Sequence, residues 1–139
     1  MLSLMPAGIV PGAVKATDYA QLLEKAQEAN FNLLRVRGGG PANTEAFSDI
    51  CDGIGLLVWQ EFPLACNDYR GTKEYLRVLD QESRSIIRRL GGHASPAVRC
   101  GGNELFNAWS RMTDQSRGSS AAGFTAWGLA SSCALIAGY

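Results

Sequence analysis

The stretch Ala97-Val98-Arg99-Cys100-Gly101-Gly102-Asn103-Glu104 decides how the chain is read. A short, mostly apolar run breaks at two glycines and delivers an Asn-Glu pair to its C-terminal end. If the run is a strand of a parallel α/β barrel, the pair stands at the mouth where such folds keep their chemistry. A carboxyl group there, partly shielded from water, can hold its proton near neutral pH and act as a general acid. The plainer reading is that Glu104 opens the next helix, where a carboxylate suits the dipole.

Working outward, the segments on either side alternate between helical and strand patterns. Upstream, Lys73 to Leu90 carries Leu76, Leu79, Ile86, Ile87 and Leu90 on one helical face, with Ser83 as a soft spot, and Gly91-Gly92 stops it. Before it, Leu56-Leu57-Val58-Trp59 is a continuous apolar run, as expected of a strand buried on both faces, and Gln60-Glu61-Phe62-Pro63 closes it. Thr44 caps a short helix with Phe47, Ile50 and Cys51, ended by Gly53 and Gly55. Phe31 to Val36 reads as a strand, after which Gly38-Gly39-Gly40-Pro41 forces a loop. Tyr19, Leu22, Leu23 and Ala26 mark a helix of three turns capped by Thr17 or Asp18 and ended by Asn30. Met1 to Val14 is apolar but broken by Pro6, Gly8, Pro11 and Gly12, so it reads as a strand end and a loop. Downstream of Glu104, Leu105, Phe106, Trp109 and Met112 suit one side of a further helix. Apolar strands alternating with helices predict a parallel sheet, whose ligand edge is the C-terminal one in a barrel and in an open doubly wound sheet alike.

Composition narrows the function classes. Thirteen basic and thirteen acidic residues cancel among 139, so charge implies neither a nucleic-acid nor a membrane-surface partner. No 18-residue apolar run and no signal-peptide pattern occur in the sequence, and a cytoplasmic location is slightly preferred. Cys51, Cys66, Cys100 and Cys133 show no metal-ligand spacing, and Cys51 and Cys100 read as small core residues. Gly38-Gly39-Gly40 opens no helix, so a dinucleotide site is not expected, and no P-loop is present. His93, between Gly92 and Pro96, reads as a loop or packing residue.

Three strings, taken together and in order, carry a family resemblance. They are Ala29-Asn30-Phe31-Asn32-Leu33-Leu34-Arg35-Val36-Arg37-Gly38-Gly39-Gly40, Asp49-Ile50-Cys51-Asp52-Gly53-Ile54-Gly55-Leu56-Leu57-Val58-Trp59-Gln60-Glu61-Phe62, and Cys100-Gly101-Gly102-Asn103-Glu104. From about Leu4 to Ser116 the chain resembles the catalytic barrel of β-mannosidase-type enzymes in glycoside hydrolase family 2. The resemblance implies the first half of a (β/α)₈ TIM barrel, from the end of strand one to the helix after strand four, over residues 1–116. It implies a retaining hydrolase of terminal β-mannosidic bonds that needs no metal and no organic cofactor. Carried over, Glu104 is the general acid/base, Asn103 bonds the sugar 2-hydroxyl, and Arg35 orients the nucleophile carboxylate. Trp59 and Trp109 are candidate platforms for sugar faces, with Trp59 equally readable as core, and Glu61 stands where aspartate is usual as a polar wall.

The roles have physical sense, because a retaining glycosidase needs two carboxyl groups roughly 5–5.5 Å apart and a cation that keeps the nucleophile ionised. The departures are also informative. Arg37 and Arg99 stand where the resemblance has tryptophan, and an arginine inside a buried strand needs a partner or loses several kcal/mol in desolvation. The implied nucleophile follows strand seven, and a whole barrel takes about 250 residues. Turnover is therefore expected only with the missing barrel half, the substrate being a β-linked mannoside or other oligosaccharide. Residues 117–139, rich in Gly, Ser and Ala, leave the resemblance and read as a divergent tail, frame-shifted or disordered. Two alternatives stay open at this stage: another family-2 β-glycosidase of the β-galactosidase or β-glucuronidase kind, and a non-catalytic carbohydrate-binding or structural half-barrel.

Overall fold

The computed structural model describes residues 1–4, 11–40, 43–66, 69 and 72–104. Their order is β1 Leu2–Leu4, a 3-10 turn at Pro11–Ala13, α1 Ala16–Glu28, β2 Leu33–Val36, α2 Glu45–Ile54, β3 Leu57–Glu61, α3 Lys73–Leu90 and β4 Pro96–Cys100. The four strands are all parallel and lie side by side in chain order, β1-β2-β3-β4. A doubly wound sheet reverses strand order at a switch point, and no reversal occurs among the described strands. The expected helix around Leu105, Phe106, Trp109 and Met112 and the tail from Arg117 lie outside the described residues.

The helices cover one face of the sheet. Along β2 and β3, Leu34, Val36 and Val58 point into a core shared with Tyr19, Leu23 and Ala26 of α1 and Phe47 and Cys51 of α2. Because strand side chains alternate, Arg35, Trp59 and Glu61 fall on the opposite face. Helix α3 packs Ile86 and Leu90 against Phe62, and Leu79 against Leu64, which continues the helix-side face past the end of β3. The soft spot Ser83 is buried without cost, since its hydroxyl donates to the Leu79 carbonyl at 2.7 Å. Deep burial of Leu23, Leu34 and Phe47 contributes about 1.5–3 kcal/mol each by transfer from water.

Element ends follow local chemistry, with some corrections to expectation. Helix α1 begins at Ala16, so Lys15 is the cap rather than Thr17 or Asp18. Asp18 acts instead from inside the first turn, its carboxylate accepting the Lys15 N–H at 2.8 Å. Thr44 holds the cap position of α2 without a side-chain bond, and Thr72 caps α3 by accepting the Tyr75 N–H at 3.2 Å. Gly53 lies within α2, and Gly55, at φ +72°, ends it in the left-handed conformation that glycine adopts freely.

The expectation that β3 is buried on both faces, and β4 buried, is not met. Leu57 is 46% exposed and Val98 42%. Strand β4 is the edge of the described sheet, so no described strand covers its far side. A register shift between Val58 and Trp59 sets one extra β4 residue opposite β3, pairing Trp59 with Val98 and Gln60 with Arg99. Arg99 thereby shares the helix-side face with Gln60. It is half-buried, and its Nε is enclosed with no partner among the described residues.

The entry to β4 is tied down at the N-terminal end of the sheet. His93 Nδ1 lies 2.8 Å from Asp52 Oδ2 and Nε2 lies 3.0 Å from Glu45 Oε2, while the Ser95 N–H donates to Asp52 Oδ1 at 2.7 Å. His93 thus packs a loop against α2, at the opposite end of β4 from Asn103. The hydrogen bonds from Glu45 and Asp52 hold the imidazole above its ordinary range, against the pull of burial.

Candidate active site

At the C-terminal edge of the sheet, side chains from three strands meet. Arg35 on β2 is in register with Trp59 on β3, and Glu61 at the end of β3 is in register with Cys100 on β4. The Arg35 Nε donates to Glu61 Oε1 at 2.7 Å, and its Nη2 donates to Asn103 Oδ1 at 2.9 Å. The guanidinium carbon also lies 5.6 Å from the centre of the Trp59 ring, within cation–π range. One arginine therefore binds residues from β3 and from the loop after β4.

Glu61 is among the most enclosed charged groups described, with its side chain 1% exposed. Its second oxygen accepts the Gly38 backbone N–H at 2.8 Å. A buried carboxylate is tolerable when both oxygens are satisfied and a cation is in contact, and both conditions hold here. Gly38 sits where a side chain has no room: a Cβ there would lie 2.4 Å from the Leu64 carbonyl oxygen and 2.7 Å from that of Phe62. The glycine run that sequence reading took for a loop is thus also the point where two backbones touch.

Asn103 is 2% exposed and held from four directions. Its N–H donates to the Leu64 carbonyl at 2.9 Å, and its carbonyl accepts the Cys66 N–H at 3.0 Å, so residues 64–66 run on beside it as a parallel bridge. In the side chain, Oδ1 takes the Arg35 bond and Nδ2 donates to Cys66 Sγ at 3.2 Å. The same sulfur lies 3.8 Å from Arg37 Nη2 and donates to Glu104 Oε2 at 3.2 Å.

Glu104 departs from expectation in two ways. Its side chain is exposed rather than shielded. Its backbone, at φ +54°, stands in the left-handed region, so Glu104 is not the first residue of a right-handed helix turn. Cys66, at φ +49°, is strained in the same way, and these two residues face each other across the bridge. Backbone strain of this kind costs of order 1–3 kcal/mol per residue and is retained where the surroundings over-determine it.

Of the residues singled out from sequence, the fold brings Arg35, Trp59, Glu61, Asn103 and Glu104 to one edge; Trp109 lies outside the described residues. Trp59 is half-buried, with its indole N–H enclosed and lacking an acceptor among the described residues. Sequence reading missed Cys66 and Gly38. A cysteine without a partner motif carries no signal, and the contact at Gly38 is visible only once residues 62–64 are in place. Among the described residues no group of His, Cys, Asp and Glu could hold a metal ion, and no helix is long and apolar enough to cross a membrane.

Comparison with known proteins gives the cluster a context. No family model matches the chain. Over 100 residues it is 34% identical to a beta-mannosidase of Bos taurus, a match that covers 72% of this chain and 11% of that protein. The crystal structure of a beta-D-mannosidase from Dictyoglomus thermophilum superposes on 96% of this chain and 16% of its own, with a TM-score of 0.78 and 28% identity. A beta-glucuronidase from Parabacteroides merdae superposes on 75% of this chain and 13% of its own with a TM-score of 0.66, and at 20% identity that likeness speaks for the fold alone. The chain spans 10–12% of the length of the curated beta-mannosidases it matches. Sequence and structural likeness thus agree on one identification, a β-mannosidase-like segment of glycoside hydrolase family 2.

Proposed function

We propose that this chain forms the acid/base part of a retaining β-glycosidase acting on terminal β-mannosides, built on the first half of a TIM barrel over residues 1–116. The carrying observation is the bonded set Arg35–Glu61–Asn103 at the C-terminal edge of three parallel strands, with Glu104 next in sequence. Strand order without reversal and helices on one face are what a closing barrel requires. In this reading Glu104 protonates the departing glycosidic oxygen and then activates water as a base. Asn103, immobilised by four bonds, keeps a second amide hydrogen for the sugar 2-hydroxyl, a contact that strengthens as the oxocarbenium-like transition state forms.

Arg35 has a dual place. It already pairs with Glu61 and keeps 26% of its side chain exposed, which leaves room for a second carboxylate, the nucleophile, beside it. An opposite charge within a few ångströms keeps such a nucleophile ionised. Glu61 is the buttress that fixes Arg35 rather than a wall of the sugar pocket. Trp59, beneath the guanidinium, and Trp109 supply apolar platforms for sugar faces. The nucleophile itself belongs to the second half of the barrel. No metal or organic cofactor is called for by this chemistry.

The test is hydrolysis of an aryl β-mannoside by the chain, alone and refolded with a polypeptide covering the second barrel half. Turnover is expected in the mixture and a loss of about 10²–10⁴-fold in Glu104→Gln, the usual worth of a general acid. Sugar binding that survives Glu104→Gln, with no turnover in any mixture, would replace this reading with a non-catalytic carbohydrate-binding module.

A further inference from the structure

Hydrogen bonds that all donate in one sense cross the sheet edge, and Cys66 is the link that delivers them to Glu104. They start at Arg35, a side chain that can only donate. Its Nη2 donates to Asn103 Oδ1 at 2.9 Å, which turns the Nδ2 hydrogens of the same amide to the other side. One of them is donated to Cys66 Sγ at 3.2 Å. With its sulfur used as an acceptor there, Cys66 directs its S–H onward to Glu104 Oε2, also at 3.2 Å. Bonds aligned head to tail in this way polarise one another.

The sulfur is held in a defined place. The Cys66 N–H donates to the Asn103 carbonyl at 3.0 Å. The preceding residue is gripped by the Tyr69 hydroxyl, which accepts the Ala65 N–H at 2.9 Å and donates to the Ala65 carbonyl at 3.2 Å. Tyr69 in turn stacks on Tyr75 of α3, with ring centres 6.0 Å apart. Both ends of the thiol–carboxylate contact stand on left-handed backbone, at φ +49° and +54°. A cysteine kept for packing alone behaves as a small apolar residue, and its sulfur has no need of a donor on one side and an acceptor on the other.

We propose that Cys66 is a positioning residue, carrying the orientation that Arg35 imposes on Asn103 through to the carboxyl group of Glu104. This inference rests on the acid/base reading of Glu104 above. The thiol is a weak donor, so it orients one carboxyl oxygen without locking the group, and the other is turned to the departing glycosidic oxygen. The test compares Cys66→Ser, which keeps a donor and an acceptor, with Cys66→Ala, which keeps neither. In the whole ¹⁵N-labelled 139-residue chain, one Asn103 side-chain amide proton should exchange about two- to tenfold faster in Cys66→Ala, the worth of one neutral hydrogen bond. The parent rate should return in Cys66→Ser. In the mixture with the second barrel half, kcat/KM for phenyl β-mannoside should fall by a similar factor in Cys66→Ala and recover in Cys66→Ser. The loss should be smaller with 2,4-dinitrophenyl β-mannoside, whose leaving group departs without a proton.

Parent-like exchange and turnover in Cys66→Ala overturn the inference and leave the acid/base reading standing. Serine and alanine variants that are equally impaired overturn it too, since packing alone then explains the cysteine. Equal losses on the two mannosides reduce Cys66 to a structural part and refute its action through Glu104. If no mixture turns over either mannoside, the acid/base reading fails and the inference falls with it, whatever the amide exchange shows. Should Cys66→Ala not fold, Cys66→Gly, at ease on a left-handed backbone, takes its place in each comparison.

Discussion

Substituting Gly38 by alanine tests whether the site edge is held by backbone contact. The added Cβ would stand 2.4 Å from the Leu64 oxygen, 2.7 Å from the Phe62 oxygen and 3.3 Å from the Asn103 nitrogen. All three are backbone atoms, so no side-chain rotation relieves the overlap. The segment must move by several tenths of an ångström, yet the Phe62 N–H is bonded to the Cys100 carbonyl at 2.9 Å and the Leu64 carbonyl to the Asn103 N–H at 2.9 Å. Overpacking of this kind costs about 1–3 kcal/mol, and a lost backbone hydrogen bond about 0.5–1.5 more, so a loss of roughly 2–4 kcal/mol is expected. Gly53→Ala provides a control of opposite sign. A Cβ at Gly53 meets nothing within 4 Å, and alanine is favoured over glycine within a helix by about 0.5–1 kcal/mol. Urea unfolding of the three full-length chains at equal m-value measures both changes. Gly38→Ala within about 0.5 kcal/mol of the parent, the range of an ordinary surface substitution, would refute the close contact and the site geometry that depends on it.

Three further outcomes follow from the same interactions. Arg35→Met leaves the Glu61 carboxylate enclosed with only the Gly38 N–H, a loss of about 3–5 kcal/mol by analogy with broken buried pairs, toward the lower figure because Arg35 is 26% exposed. Adding Glu61→Gln should recover a large part of it, and a double variant no better than the single one would contradict the pairing. His93 is raised above its ordinary pKa by the Glu45 and Asp52 bonds, so its contribution is complete below about pH 6.5, the unfolded value, and is lost as pH rises through the folded one. Burial pushes the Asp52 carboxyl up, but the Ser95 and His93 bonds outweigh it and hold it low, so its share is lost only as acid protonates it. Urea midpoints from pH 5 to 9 should therefore decline on the alkaline side, and a His93→Gln chain that shows the same decline would disprove the assignment. Burial, with the Asp52 charge beside it, pushes the Cys51 thiol up to about 12, so alkylation at pH 8 should leave Cys51 intact while half-buried Cys66 reacts. Peptide mass spectrometry reads this directly, and equal rates at the two cysteines would be the contrary result.

What was legible in the sequence is the part governed by local rules. Helix α3 runs from Lys73 to Leu90 as its apolar period and its glycine stop require, and the left-handed end of α2 falls on Gly55. Parallel strands follow from apolar runs separated by helical ones. Burial was less legible, because it depends on which elements lie beside a strand, and Leu57 and Val98 emerge exposed at positions whose neighbours suggested a core. Arg35, Glu61 and Asn103 could be named from a resemblance, but their mutual bonding could not, since it joins positions 26 and 68 residues apart. Cys66 had no signal, because its importance comes from a left-handed backbone and from what that backbone brings to its sulfur.

The bonding also separates the two carboxylates at this edge. Glu61 has an arginine on one oxygen and a backbone N–H on the other, and its side chain is closed to solvent. With both oxygens bonded and the side chain closed to solvent, it is suited to hold Arg35 in place. Glu104 has a thiol on one oxygen and an exposed side chain, on a backbone that departs from the helical conformation. A thiol is a weak donor and yields readily to a stronger partner. Of the two, Glu104 is the one that a proposed substrate could reach without breaking the Arg35–Glu61 pair. On the proposed function, the exposed carboxylate is the one assigned to proton transfer, while the more deeply bonded Glu61 holds Arg35 in place.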